Sequence, residues 1–366
     1  MPSALASKLN AWYRRNARDL PWRRTRDPYR IWVSEVMLQQ TTVNTVIPYY
    51  NRWIKTFPTI QCLASARLPK VLKVWQGLGY YQRARNMHRS ARIICRDFNA
   101  QIPRDAALLK DLPGFGAYTI GAVLSIAYGQ PHPILDTNIR RVVSRHAALD
   151  QPQGSKRDQR ITDCLRQWMP ARNIHIFNQA LMELGALICR VREPLCKKCP
   201  LKLTCCAFRQ RRVDHLGIGQ RKSRFENIQV VAGVIQNEDK YFIQQRPEHG
   251  LMAGLWEFPG GKIEKRETVL KALQREMKEE LAVRVIHAFP LTRIRHAYTR
   301  FKVDLHVWHC RVTPWPKTDG RHKWVTLKQL ERYPLPAANA RILDKLKKYP
   351  IHNHPKRKEV FSCVSC

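Results

Sequence analysis

The chain has 366 residues, 44% of them hydrophobic, which allows two packed domains and excludes a disordered chain. Lys and Arg number 65 against 28 Asp and Glu, a net charge of +37, so the favoured partner is a polyanion, nucleic acid first, bound with release of counterions. No apolar run reaches membrane-spanning length, which argues against a membrane partner. Eleven cysteines without a secretory signal point to a reduced, cytoplasmic setting rather than a disulfide framework.

Leu5, Leu9, Trp12 and Tyr13 recur at helical spacing and predict a first helix. Residues 29–42, YRIWVSEVMLQQTT, are apolar on nearly every side, as in a buried helix, and Glu35 is the one charged group between Arg30 and Arg52. Apolar neighbours Ile31 and Leu38 raise its pKa. Two readings stay open: a general acid that keeps its proton near neutral pH, or a buried ion pair with Arg18 or Arg23. The turn Gly77-Leu78-Gly79-Tyr80-Tyr81, followed by Arg83, Arg85 and Arg89, reads either as an aromatic wedge for a base stack or as simple packing.

Leu112-Pro113-Gly114-Phe115-Gly116 is a tight turn between two helical patterns. Its glycines admit positive φ and let backbone amides approach an anion such as a DNA phosphate. An apolar, small-residue helix is predicted over residues 117–128. Asp136 follows Pro131 and Pro133; it either caps the helix that begins near Asn138 or acts as a functional carboxylate. Residues 140–188 read as further helices. Cys189, Cys196, Cys199 and Cys205 then form a C-x6-C-x2-C-x5-C array. Four thiolates in one loop hold a soft cation or an iron–sulfur cluster, and the single C-x2-C knuckle favours [4Fe–4S] over zinc. Cys206 is an extra thiol outside this set.

The hairpin turn, its helix, the downstream aspartate and the cysteine array together resemble the helix-hairpin-helix DNA glycosylases, in the branch of endonuclease III and MutY. Within that branch DLPWRRTRDPYRIWVSEVMLQQTTV is similar to the adenine glycosylases. The resemblance implies that Glu35 protonates the departing adenine and that Asp136, supported by Asn138, stabilises the sugar. It puts Tyr118 where bifunctional relatives carry a lysine nucleophile, which implies a monofunctional enzyme. Leu20, Trp22, Arg23, Val43 and Glu183 would line the adenine pocket. Gln40 and Tyr80 would fill or wedge the gap in the duplex.

Residues 207–225 are basic and aperiodic and are expected to be a linker. From Glu226 the pattern turns to strands, IQVVAGVIQ and KYFIQQR. Residues 261–283 fit the Nudix signature G-x5-E-x7-R-E-U-x-E-E-x-G-U, with Ala282 at the last glycine. Glu276, Glu279 and Glu280 share one helix face, where they can bind Mg²⁺, and Arg275 can pair with Glu267. The adenine glycosylase resemblance implies a Nudix-like domain that reads 8-oxoguanine through Tyr298, Thr299 and Arg300; YPLPAAN resembles the MutT-type 8-oxo-dGTP hydrolases, which implies Asn339 as a further contact.

The expected organisation is an all-helical glycosylase domain with its iron–sulfur loop over 1–206, a linker, a mixed α/β Nudix-like domain over 226–345 and a basic tail over 346–366. The implied partner is duplex DNA with adenine opposite 8-oxoguanine or guanine, bound by a monomer. Two alternatives are carried: a second, nucleotide-hydrolysing activity at the Nudix box, and a non-catalytic DNA-damage binder.

Overall fold

The computed structural model describes residues 4–151, 154–217, 226–250, 252–298 and 301–349; Thr299, Arg300 and the expected tail beyond 349 lie outside them. The chain divides into two units. Residues 1–66 and 86–221 form the first; 67–85 and 222–366 form the second. The segment 67–85 thus belongs with the C-terminal half, a partition that no local pattern announces.

Up to residue 217 the elements are helical: α1 (Ala4–Asn16), α2 (Pro28–Leu38), α3 (Val43–Thr56), α4 (Ile60–Ser65), α5 (Leu68–Trp75), α6 (Gln82–Asp97), α7 (Ala106–Lys110), α8 (Ala117–Ala122), α9 (Thr137–His146), α10 (Ser155–Trp168), α11 (Ile174–Leu187) and α12 (Cys206–Arg209). A π-helical stretch, Val123–Ala127, continues α8. In the first unit, Leu9, Trp12, Ile31, Ile126, Ile139, Val143, Phe177 and Leu181 bring α1, α2, α9, α11 and that stretch onto one core.

Helix α2 starts where it does because Pro28 takes the first position and the Asp27 side chain accepts the Arg30 N–H at 2.8 Å. Tyr29, Ile31, Trp32, Val33, Val36 and Met37 are all buried around it, as its unbroken apolar sequence predicts. Gly121 lets α8 run against the chain leading into α9: a Cβ there would stand 2.7 Å from the Pro133 carbonyl oxygen. Part of the expected linker is folded instead. Residues 206–209 form α12, and the Leu216 carbonyl accepts from Arg145 Nε at 3.0 Å. The buried guanidinium of Arg145 needs such acceptors, which is why this basic stretch lies against α9.

The second unit is a mixed sheet flanked by helices. Its strands are β1 (Glu226–Asn237), β2 (Lys240–Gln245), β3 (Trp256–Glu257), β4 (Arg284–Ala297), β5 (Phe301–Thr313) and β6 (His322–Thr326). Their order is β3-β2-β1-β5-β4, with β6 also on β2; β1 and β5 run parallel and the other pairs antiparallel. The helices are α13 (Val269–Leu281), α14 (Leu327–Leu330) and α15 (Ala337–Lys348). Side chains of β1 alternate between two cores. Val231 and Ile235 meet Leu273 and Met277 of α13, while Ala232 and Val234 share the opposite core with Ile342 and Leu343 of α15. Among the described residues no helix is long and apolar enough to cross a membrane.

Candidate active site

Glu35 is 4% exposed and projects from α2 among apolar neighbours. Tyr118, in the first turn of α8, donates its hydroxyl to Glu35 Oε2 at 2.5 Å. Burial pushes the Glu35 carboxyl up to about 7; the Tyr118 hydrogen bond pulls it down, Asp136 pushes it up and Arg23 pulls it down. The Tyr118 hydroxyl is itself held well above its ordinary range, first by burial and then by Glu35, so it stays a donor.

Asp136 caps α9. Its carboxylate accepts the Ile139 N–H at 2.6 Å and the Asn138 side-chain amide at 3.0 Å. Burial raises its pKa, against the pull of the Ile139 and Asn138 donors and of Arg141. Of the two readings open for Asp136, the helix cap is formed, and it holds the carboxylate close enough to Glu35 for the two to act on one another. Asp136 takes two N–H donors and Glu35 a phenol, and a guanidinium acts on each, Arg141 on Asp136 and Arg23 on Glu35.

The ion pair open to Glu35 is formed elsewhere. Arg18 gives Nε and Nη2 to Glu183 at 2.8 and 2.7 Å and its backbone N–H at 3.0 Å. Arg23 adds Nη2 at 2.8 Å. Glu183, on α11, is almost wholly buried. Burial alone would raise its pKa, but hydrogen bonds from Arg18 and Arg23 overcome that and hold it at about 2. Leu20 and Trp22 are buried beside Arg23 in the turn Pro21–Arg24, with Trp22 edge-on to Tyr50 at 5.3 Å. Val43 is half-buried at the start of α3.

Two buried arginines of α9 escaped the sequence reading. Arg141 donates Nη2 to Asn138 Oδ1 and to the Gly185 carbonyl, both at 2.8 Å, and Nε to the Cys189 carbonyl at 2.7 Å. Arg145 donates to the Arg190 and Val191 carbonyls at 2.6 and 3.1 Å. One helix therefore presents Asp136 at its first turn and holds the cysteine loop along its length. Gly185 permits this, because a Cβ there would stand 2.5 Å from Asn138 Cβ. The available signal was the spacing of Arg141 and Arg145 at i and i+4 on a helix that is otherwise half apolar.

Cys189, Cys196, Cys199 and Cys205 are half-buried free thiols. They lie near enough to act on one another: Cys199 is pushed up to about 12, first by burial and then also by Cys189, Cys205 and Cys196. Among the described residues no three metal-binding side chains stand at the spacing of a single ion, which for tetrahedral zinc–thiolate bonds of about 2.3 Å would be about 3.8 Å between sulfurs.

The hairpin turn is anchored by Phe115, stacked on Trp32 at 5.1 Å, and by Ser90, which donates to the Pro113 carbonyl at 2.7 Å. Gly114 and Gly116 are exposed. Gly114 has φ +84° and its Cβ would meet Asn86 Cβ at 2.9 Å, whereas Gly116 faces open space. Gln40 and Tyr80 both adopt positive φ, +57° and +50°, a strained state for such side chains that clusters at functional sites.

In the second unit, Tyr298 follows β4, and its hydroxyl accepts the Ala338 N–H at 3.4 Å. Asn339 is buried, and its Oδ1 accepts the Phe258 N–H at 2.9 Å. In the Nudix box one guanidinium ties three carboxylates together. Arg275 binds Glu267 at 3.0 Å, Glu276 at 2.8 Å and Glu279 at 3.1 Å. Glu280 instead accepts from Gln244 at 2.7 Å and from the Gly260 N–H at 3.0 Å. Sequence reading also missed Glu257, which is buried, pushed up to about 7 by burial and held by Arg246 at 2.8 Å.

Both halves of the chain match known protein families. Residues 33–167 match the family of HhH-GPD superfamily base excision DNA repair proteins, and residues 230–345 match the NUDIX domain family. Human adenine DNA glycosylase is 33% identical over 387 residues, an alignment that takes in 88% of this chain and 70% of that protein. The adenine DNA glycosylase of Buchnera aphidicola subsp. Baizongia pistaciae is 31% identical over 356 residues, covering 94% and 97%. Among solved structures, a thermostable thymine-DNA glycosylase superposes with a TM-score of 0.53 at 28% identity, covering 57% of this chain and 97% of that one. The chain belongs to the adenine DNA glycosylase family, with a helix-hairpin-helix glycosylase domain followed by a Nudix domain.

Proposed function

We propose that this protein is a monofunctional adenine DNA glycosylase that excises adenine opposite 8-oxoguanine or guanine in duplex DNA. The observation that carries the reading is the Glu35–Asp136 pair: two buried carboxyls, one bound by a phenol and pushed up to about 7, the other held by N–H donors. Such a pair is what cleavage of a glycosidic bond requires.

The nucleotide is first extruded, at a cost of a few kcal/mol. The hairpin amides around Gly114 and Gly116 would grip the backbone, and Gln40 and Tyr80 would occupy the vacated space. Glu35 then gives its proton to the purine, at N7, so that neutral adenine departs. Positive charge grows on the deoxyribose, and ionised Asp136 stabilises it directly or through a transient adduct. Water completes the reaction and leaves an abasic site. Tyr118 orients Glu35 and offers no amine for a Schiff base. Leu20, Trp22, Arg23, Val43 and Glu183 would hold the flipped base.

Cys189, Cys196, Cys199 and Cys205 would hold a [4Fe–4S] cluster; four thiols in one loop with a single C-x2-C knuckle suit a cluster better than zinc. When bound, the cluster supplies a rigid scaffold for the basic loop carrying Lys197, Lys198 and Lys202. Tyr298, Thr299, Arg300 and Asn339 would read the opposite base. The test is release of free adenine under single-turnover conditions from duplexes with adenine opposite 8-oxoguanine, guanine or thymine. Release from the first two is expected; a protein that binds all three without releasing base is a damage binder.

A further inference from the structure

Within the second unit, the segment 67–85 grips one short loop. Gln76 Oε1 accepts the Leu335 N–H at 3.0 Å, and the Tyr81 hydroxyl donates to the Leu335 carbonyl at 3.0 Å. Lys73 Nζ donates to the Tyr333 carbonyl at 3.0 Å and to Gln76 Oε1 at 3.1 Å. From the other side, the Trp256 N–H of β3 donates to the Pro334 carbonyl at 2.9 Å. Three consecutive residues, 333–335, are thus tied by their backbone, and Leu335 is tied at both polar groups while its side chain is fully buried.

Each end of this arrangement carries a group assigned above to DNA. At one end is Tyr80, adjacent to Tyr81, in a turn stapled by the Trp75 Nε1 bond to the Gly79 carbonyl at 2.8 Å and covered by Arg83 at 5.0 Å from the Tyr80 ring. At the other end α15 begins at Ala337, and within its first turn lie the Ala338 N–H on Tyr298 and Asn339 on Phe258. We propose that Gln76 and Tyr81 are positioning residues for opposite-base discrimination: they hold the first turn of α15, with Asn339 and Tyr298, in fixed register with the Tyr80 turn. Wedging of the duplex and reading of the opposite base then occur on one rigid frame. The inference rests on the roles given above to Tyr80, Tyr298 and Asn339.

The physical case is one of precision. A recognition contact must be held to within about 0.5 Å by neighbours whose own geometry is locked, and a loop fixed at Leu335 only three residues before Ala338 supplies that lock. Tyr81→Phe deletes one hydroxyl and keeps the ring in place. The test uses the full-length holoprotein in single-turnover excision on three duplexes, with adenine opposite 8-oxoguanine, guanine or a baseless tetrahydrofuran site. Wild type, Tyr81→Phe, Gln76→Ala and Asn339→Ala are compared. Tyr81→Phe and Gln76→Ala, each removing the bond to Leu335 and one weaker or secondary contact, are expected to lower the 8-oxoguanine over guanine preference by at least about fivefold, the worth of a hydrogen bond, with the baseless duplex cleaved at the wild-type rate.

Loss of the preference in Asn339→Ala, with wild-type preference in both segment variants, overturns the inference and leaves the base-reading role intact. Full preference in Asn339→Ala overturns the base-reading role, and the inference with it. An equal rate loss on all three duplexes in the segment variants also overturns the inference, since a general structural defect moves every substrate alike.

Discussion

Replacing Glu35 with Gln separates chemistry from stability. In the folded protein the Glu35 carboxyl is pushed to about 7 from an ordinary 4.5. Between those values the folded state holds a proton that the unfolded chain has released. Stability contributed by this group is therefore complete below pH 4.5 and falls as pH rises through 7. Once the carboxyl is ionised the loss is about 3 kcal/mol, at about 1.4 kcal/mol for each unit of displacement. Gln keeps the shape, accepts the same Tyr118 hydroxyl and never ionises. Glu35→Gln should match wild type near pH 4.5 and exceed it by about 3 kcal/mol at pH 8.5. For a unit of this size that is a rise of roughly 6–12 °C in melting temperature. The assay is thermal unfolding followed by far-ultraviolet circular dichroism at the two pH values, beside adenine release, which the substitution should abolish. A variant less stable than wild type at both pH values would refute the reasoning, because it would mean that the carboxylate holds the fold through an ion pair.

Glu183→Gln should do the opposite: it leaves Arg18 and Arg23 without their shared anion, costs about 3 kcal/mol in urea unfolding at pH 7, and removes a stability that in wild type declines only as pH falls from 4.5 towards 2. Gly185→Ala places a methyl group where Asn138 sits, 2.5 Å from its Cβ; α9 must shift, and the single-turnover rate should fall at least tenfold with DNA binding retained, whereas an unchanged rate would mean that Asn138 does not position Asp136. Cys199→Ser should lose the brown absorbance and about four iron atoms per chain by metal analysis; a wild type that is colourless and zinc-loaded would refute the cluster assignment.

Much of the site is legible in the sequence because its chemistry leaves local marks. A lone carboxylate in an apolar helix marks Glu35, a cap position after two prolines marks Asp136, and cysteine spacing marks the loop. What is not legible depends on partners far apart in the chain. Nothing near Arg18 or Arg23 shows that both belong to Glu183, some 160 residues on, and so the sequence leaves both readings of Glu35 open. Arg141 and Arg145 look like a solvated basic face until the carbonyls of residues 185–191 and 216 are folded over them. The membership of residues 67–85 in the second unit is of the same kind: the side chains of Lys73, Gln76 and Tyr81 bond the backbone of residues 333–335, some 260 positions on, and no local pattern encodes that. In the Nudix box the motif gives the residues, but the rotamers that Arg275 imposes on Glu276 and Glu279 come only from the structure.

The central claim is that Glu35 delivers the proton that releases adenine. Its most direct test is the single-turnover rate of adenine release, on a duplex with adenine opposite 8-oxoguanine, from pH 5.5 to 9 at fixed salt. The account predicts a rate that falls tenfold per pH unit above about 7, and no release at any pH from Glu35→Gln, which still binds the duplex. A rate independent of pH across that range, or undiminished release by Glu35→Gln, would contradict it.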